Sequence, residues 1–506
     1  MLEFLVAHYK EEKASFHMPG HKGSAFFARL GYGDRLARIV DHDITEVPGA
    51  DDLRHPEGII KTITDRYAAI YGSKRAFISV NGSSALIMAA IKTCVKPGRK
   101  LLAAADSHIS VKNGADLAGA EIIYVKPQAL DPWATYDNDS NECMLAAPGS
   151  ISGVNDGEAN CYDRESKPGN SNSGADDYFS IPGGLSAESV AEALDKDPEI
   201  DAVILPSPNY FGVVSGIKAI ADAVHARGKV LIVDQAHGAH LKMFADAGRS
   251  PGSADPDTGA GNSDVSERSA DADDVCGGTM PVPAEERGAD IVIVSTHKTL
   301  ASFTQTAVSN VFSDLIDQDE YERNLLMLES TSPSYILMES LALNAEIMGK
   351  HGRDLARTWR ADLDWFYEQV KTIPVIRVIT RDSVTGAERV AAIAEAQRRT
   401  DQPAGNTVRT ETEALAGSEG EGVAEDFVKN SGTDFDDSKI VVDFSGIGIT
   451  GKEAEEILID KGIFPEFYTG SVVMFLTGIG NVRHDYEVLL DALAEMAWRD
   501  IYSGWE

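Results

Sequence analysis

Short apolar runs recur along this chain, each followed by a segment with helical spacing, and that alternation constrains the fold more than any other feature. FISV (77–80) precedes SALIMAAIKTCV; KLLAAA (100–105) and EIIYV (121–125) flank SVKNGADLAGA. DAVILP (201–206) leads through a loop to IKAIADAVHARG and then to VLIVD (230–234), and IVIVS follows at 291–295. A strand covered on both faces reads as a continuous apolar run, and parallel strands need helical crossovers between them. The pattern therefore predicts an α/β protein with a parallel sheet covered on both faces.

The 506 residues suffice for two or three domains. We expect an N-terminal arm over residues 1–55 and a large domain over 56–333. Beyond 334 a long helical stretch, YILMESLALNAEIMGKHGRDLARTWRADLDWFYEQV, leads into VIRVI and KIVVDFS, which predicts a smaller α+β C-terminal domain over 334–506. Three stretches rich in Asn, Asp, Ser and Gly, at about 131–184, 246–287 and 381–438, lack the apolar surface that offsets ordering entropy and are expected as surface insertions. Within the third, GAERVAAIAEAQRRT has a helical composition.

Other features exclude function classes. A net charge of -34 leaves no cationic excess to displace counterions, which disfavours nucleic-acid binding. No run of about 18 apolar residues is present, and the N-terminus lacks the basic start of a secretory signal. Cys94, Cys143, Cys161 and Cys276 form no CxxC pair, so neither a zinc site nor a disulfide framework is expected, and a cytoplasmic location is.

Ligands of open parallel sheets bind where the strands end, and four predicted strand ends carry chemistry. Gly82, Ser83 and Ser84 lie between a strand and a helix, where free N–H groups and hydroxyls cradle phosphate; an ordinary Ser N-cap is the alternative. Asp234 ends an apolar strand, where a carboxylate needs a partner such as a protonated pyridine nitrogen; the small Ala236 leaves room for a flat ring beside His237. Lys298 follows IVIVS among Ser295, Thr296 and His297, and a desolvated lysine forms imines. His108 lies near the end of the KLLAAA strand and offers a ring for stacking. Together these are the parts pyridoxal phosphate needs: an amine, an acid for its ring nitrogen, a stacking ring and a phosphate cradle.

The segments FHMPGHKGS (16–24), DITEVPGADDLRHPEGIIK (43–61), VNGSSA (80–85), SHISVKNGADLAGAEIIYV (107–125), VLIVDQAHGAHL (230–241), IVIVSTHKTL (291–300), STSPSYILMESL (330–341) and KGIFPEF (461–467) resemble the Orn/Lys/Arg decarboxylases in their short form without an N-terminal wing domain. The resemblance implies a three-layer large domain around a mainly parallel seven-stranded sheet, as in pyridoxal-phosphate transferases, plus a small α+β domain. It implies pyridoxal 5'-phosphate as cofactor, Lys298 as Schiff-base lysine, Asp234 on the pyridine nitrogen, His108 stacked on the ring with Ala236 behind, and Ser83, Ser84, Ser295 and His297 around the phosphate. Thr331 and Ser332 resemble the stretch that reaches a neighbouring subunit's phosphate, which implies a homodimer or larger homo-oligomer. Glu466 matches a carboxylate placed near the substrate's distal amino group. The expected reaction is loss of the carboxyl group of arginine, lysine or ornithine, with another pyridoxal-phosphate reaction or a non-catalytic regulatory subunit as alternatives. The chain departs from the family pattern at Ala105, Asp106 and Ile109 around His108, and carries Gln235 where glutamate is usual.

SGIGITGKE (445–453) contains both GxGxxG and GxxxxGK. Glu453 stands where a P-loop needs Ser or Thr, and Thr450 with Glu453 predicts a capping box instead.

Overall fold

The structure is a computed structural model and describes residues 13–36, 39–130, 181–248, 280–385 and 433–503. Seven strands form the large sheet: β1 (Arg75–Ser79), β2 (Lys100–Ala104), β3 (Glu121–Val125), β4 (Ile200–Pro206), β5 (Val230–Asp234), β6 (Ile291–Val294) and β7 (Ala307–Val311). Their order is β1-β7-β6-β5-β4-β2-β3, and β7 alone runs against the others. The sheet is thus mainly parallel and seven-stranded, as expected. Its central strands are apolar on both faces because both are covered: Ile291, Val292, Ile293 and Val294 are all 0% exposed.

Six of these strands coincide with apolar runs in the sequence. β7 does not, because AVSNV interrupts its run with Ser309 and Asn310. Both are fully buried, and Asn310 accepts a hydrogen bond from Ser73 at 3.2 Å.

Helices α1 (Ile59–Tyr71), α2 (Gly82–Cys94), α3 (Ile109–Ala118), α4 (Ile217–His225) and α5 (Leu241–Ala247) belong to the large domain, and α6 (Thr296–Thr299) is a single turn after β6. The long helix α7 (Tyr335–Val370) begins at Ser334, whose hydroxyl caps it. It packs against α1, α5 and the C-terminal helix α9 (Arg483–Ser503). One apolar core consequently continues from Leu231 and Val233 through Leu341 and Phe366 to Ile440 and Phe475. The small sheet has the order β8-β9-β11-β10, built from β8 (Arg377–Val378), β9 (Lys439–Asp443), β10 (Phe467–Thr469) and β11 (Val472–Leu476), all antiparallel. The segment VIRVI supplies only the two residues of β8. From the N-terminal arm, Ala14–Ser15 pairs with Ile463–Phe464 and so lies on the small domain.

The described residues correct the edges of the three polar stretches. At the first, Ile181–Pro182 pairs with Ala129–Leu130, so its base is a short ladder. At the second, α5 runs to Ala247, and Ala284 is buried. At the third, Arg381–Thr385 is helical, and Asp436 and Ser438 are fully buried beneath the large domain. The sequence reading missed these because charged residues that pair in the interior have the same composition as solvated ones. The helix expected over 387–400 lies outside the described residues.

The glycine motif at 446–451 is structural. Thr450 and Glu453 form the capping box of α8 (Gly451–Asp460). A Cβ on Gly451 would lie 2.5 Å from the Val472 carbonyl oxygen, so only glycine allows this helix to approach β11. Among the described residues no helix is long and apolar enough to cross a membrane.

Candidate functional site

The carboxyl ends of β1, β2, β4, β5 and β6 surround one cleft with a volume of about 190 Å³. Its walls are Gly82, Ser83 and Ser84 after β1, Asp106 and His108 after β2, Pro206, Pro208 and Tyr210 after β4, Asp234, Ala236 and His237 after β5, and Ser295, His297 and Lys298 after β6. Sheet register explains the convergence. Asp234 pairs with Ile293 on one side and Pro206 on the other, so β5 and β6 end side by side and release their loops to the same edge. The amine of Lys298 and the carboxyl of Asp234 therefore face one cavity.

The amine lies 2.8 Å from His237 Nε2. Burial lowers the Lys298 pKa; Asp234 and Glu466 oppose this, and Lys439 reinforces it. Burial raises the Asp234 carboxyl, against the pull of Lys298, the Ala236 N–H and His108. Burial also drives the His237 imidazole well below its ordinary range and lowers His297 to about 4. His297 donates from Nδ1 to the Thr306 carbonyl at 2.8 Å, which fixes its ring. His108 caps α3: its Nδ1 accepts from the Ser110 N–H at 3.2 Å, and its ring borders the cleft.

Serine capping does not account for the β1–α2 turn. The cap residue is Asn81, and its side chain makes no capping bond. It donates instead to the Leu328 carbonyl at 2.9 Å. Ser83 and Ser84 sit inside the first helical turn with their N–H groups toward the helix start, where anions are favoured. Gly82 has a φ of 79°, which glycine adopts without strain.

Three polar atoms of cleft residues are buried without a hydrogen-bond partner: Ser295 Oγ, His237 Nδ1 and Asp106 Oδ1. Such atoms are rare in folded proteins and call for a ligand. A phosphate for the α2 start and Ser295, and a cationic ring nitrogen for the buried Asp234, satisfy the cleft's main polar groups. The residues present thus fit pyridoxal phosphate.

Three expected residues lie outside the cleft wall. Thr331 and Ser332 are exposed and do not border the cleft of their own chain. Glu466 stands one layer back, accepting from Tyr210 Oη and the Met18 N–H, each at 3.1 Å. Tyr210 itself was not anticipated, although its position just after an apolar strand was the available signal. Asp106, seen in the sequence only as a departure, borders the cleft, and burial raises its carboxyl to about 6. The Gln235 departure is also resolved: its amide donates to Glu285 at 2.9 Å and its oxygen accepts from the Ala284 N–H at 2.9 Å.

A family model described as the Orn/Lys/Arg decarboxylase major domain matches residues 1–138 and 273–485. These segments carry Gly82, His108, Lys298 and Glu466, while Asp234 lies between them. An arginine decarboxylase of Halalkalibacterium halodurans is 24% identical over 497 residues, covering 97% of this chain and 76% of the relative. The inducible ornithine decarboxylase of Escherichia coli is 22% identical over 369 residues, covering 69% and 42%. Among solved structures, the constitutive lysine decarboxylase of Escherichia coli superposes with a TM-score of 0.55 at 16% identity, over 98% of this chain and 60% of that one. An L-threonine transaldolase from Pseudomonas fluorescens gives 0.55 at 14% identity, over 98% and 86%. At these identities the structural likeness establishes the fold.

Proposed function

The chain belongs to the Orn/Lys/Arg decarboxylase family, and from that premise we propose that its cleft removes the α-carboxyl group from arginine or a closely related basic amino acid. The reaction yields carbon dioxide and the corresponding amine, with one proton added at Cα. The single observation that carries the reading is the placing of Lys298 and Asp234 at the ends of adjacent parallel strands, facing one cavity. Arginine is put first because the relative matched over 97% of the chain is named an arginine decarboxylase.

Pyridoxal phosphate, when bound, supplies an aldehyde that links to an amine and a ring that accepts the electron pair of a breaking bond. In this reading Lys298 would hold that aldehyde, and burial favours the neutral, nucleophilic form of its amine. Asp234 would keep the ring nitrogen protonated, and the ring's charge would offset the cost of a carboxylate there. Ser83, Ser84, Ser295, His297 and the start of α2 would hold the phosphate. His108 and Ala236 would hold the ring. His237, held toward neutrality by burial and bonded to the Lys298 amine, would steady it, and Lys298 would return the proton to Cα. Glu466, with Tyr210, attracts the distal cationic group of the substrate.

Exposed Thr331 and Ser332 suit a contact with a second copy of the chain, so a homodimer is part of this reading, as is a cytoplasmic location. The test is carbon dioxide release across a panel of amino acids with added pyridoxal phosphate. Arginine, lysine or ornithine should be consumed with stoichiometric amine, and Lys298→Ala should abolish both turnover and the visible absorbance of bound cofactor. A keto acid product, or turnover retained by Lys298→Ala, refutes the proposal.

A further inference from the structure

Among the described residues, two charged side chains of opposite sign are buried together outside the cleft wall. Lys439, at the start of β9, and Asp436, three residues before it, are each 0% exposed and form an ion pair. A buried ion pair is no better for stability than well-packed apolar residues of the same volume, so its presence calls for another explanation. Its contacts supply one. Lys439 Nζ donates to the His237 carbonyl at 3.0 Å, and the His237 ring bonds the Lys298 amine at 2.8 Å. Asp436 Oδ1 lies 3.2 Å from His240 Nε2 and accepts from Ser438 Oγ at 2.6 Å. The other nitrogen of His240 is 3.2 Å from Thr299 Oγ1, one residue beyond Lys298. The pair comes from the small domain and grips the cleft from below at two points.

We infer that Asp436 and Lys439 form a positioning pair for Lys298: they fix the His237 backbone and the Lys298 turn, and they place a second buried cation near the reactive amine. This rests on Lys298 being the amine that links to the cofactor.

The groups facing that amine divide cleanly. Asp234 at the end of β5 and Glu466 before β10 favour its charged form. Burial and Lys439 favour the neutral form. His237 and His108 are themselves held toward neutrality by burial. Burial would raise the Asp436 carboxyl, but Lys439 and His240 reverse this and keep it ionised. The ammonium faces the His237 carbonyl and the carboxylate faces His240 and Ser438, so Lys439 is the member that acts on Lys298. A neighbouring cation is a known means of making a lysine nucleophilic.

Removing one partner would strand a buried charge, so the test uses the double variant Asp436→Asn with Lys439→Met. Cofactor-free chain is mixed with pyridoxal phosphate over a pH series, and the rate of covalent uptake is followed by visible absorbance. The neutral amine condenses with the aldehyde and one water leaves, so the rate follows the neutral fraction of Lys298. The pH of half-maximal rate should rise by roughly half a unit or more in the double variant. A cooperatively folded variant with an unmoved midpoint overturns the inference. The apolar pair Asp436→Leu with Lys439→Met is read the same way if the first does not fold, and failure of both to fold assigns the pair a purely structural role. Lys298→Ala separates the two levels: uptake that survives there overturns the cofactor assignment itself. Uptake lost there, with an unmoved midpoint in the double variant, removes only the positioning role.

Discussion

Replacing Asp234 by Asn tests the electron-withdrawing half of the site without disturbing the fold. Asp234 is buried at the end of β5, and its Oδ1 accepts from the Ala236 N–H at 3.1 Å. Asparagine has the same shape and keeps that bond through its amide oxygen, so the loop bearing Ala236 and His237 should stay in place. What is lost is the charge. A carboxylate and a protonated ring nitrogen at about 3 Å attract by roughly 5 kcal/mol at an effective dielectric constant of about 20. Asparagine recovers part of this, because burial already disfavours the charged carboxyl and the neutral amide avoids that cost. A net loss of about 3–4 kcal/mol corresponds to a fall in kcat of about 10²–10³-fold. The assay is initial-rate carbon dioxide release at saturating substrate and cofactor, with thermal unfolding of wild type and variant alongside. An Asp234→Asn enzyme of normal fold whose kcat stays within about fivefold of wild type would refute the account of Asp234 as partner of the ring nitrogen.

Two further predictions concern acids around the cleft. Glu466→Gln keeps hydrogen-bonding capacity toward Tyr210 but removes the charge; losing one charge-assisted contact of about 1.5–3 kcal/mol should raise KM for the preferred basic amino acid about 10- to 100-fold with little change in kcat. Steady-state kinetics that give an unaltered KM for every basic amino acid would remove Glu466 from substrate recognition. Glu329 is buried behind the β1–α2 turn against Ser79 Oγ, and burial outweighs its hydrogen bonds to raise its carboxyl from 4.5 to about 7. A raised folded-state value means that its contribution is complete below about pH 4.5 and is lost as pH rises through about 7. Glu329→Gln has no such loss and should gain on wild type by up to roughly 3 kcal/mol between pH 5 and pH 8 in denaturant unfolding. An equal stability difference at both pH values contradicts this.

The sequence by itself determined the layered fold and the main chemical parts of the cleft. A strand covered on both faces must be apolar along its length, so β1 to β6 announce themselves, and the strand-end rule then singles out Gly82, His108, Asp234 and Lys298. Local rules also settled the glycine motif, because a capping box needs only Thr450 and Glu453 three residues apart. Where the reading failed, the missing information was long-range pairing. β7 is buried between β1 and β6 despite Ser309 and Asn310, and the Ser73 hydroxyl that donates to Asn310 stands far earlier in the chain. Asp436 reads as solvated, and nothing in KIVVDFS marks the Lys439 side chain as buried, because no local pattern shows that His237 and His240, about 200 residues earlier, meet them in the interior. Only the tertiary structure decided which charges are buried, which carboxyls stand in the cleft wall and which stand behind it. Burial and the distance between groups far apart in sequence are properties of packing, and those two quantities raise the Asp234 carboxyl and lower the Lys298 amine.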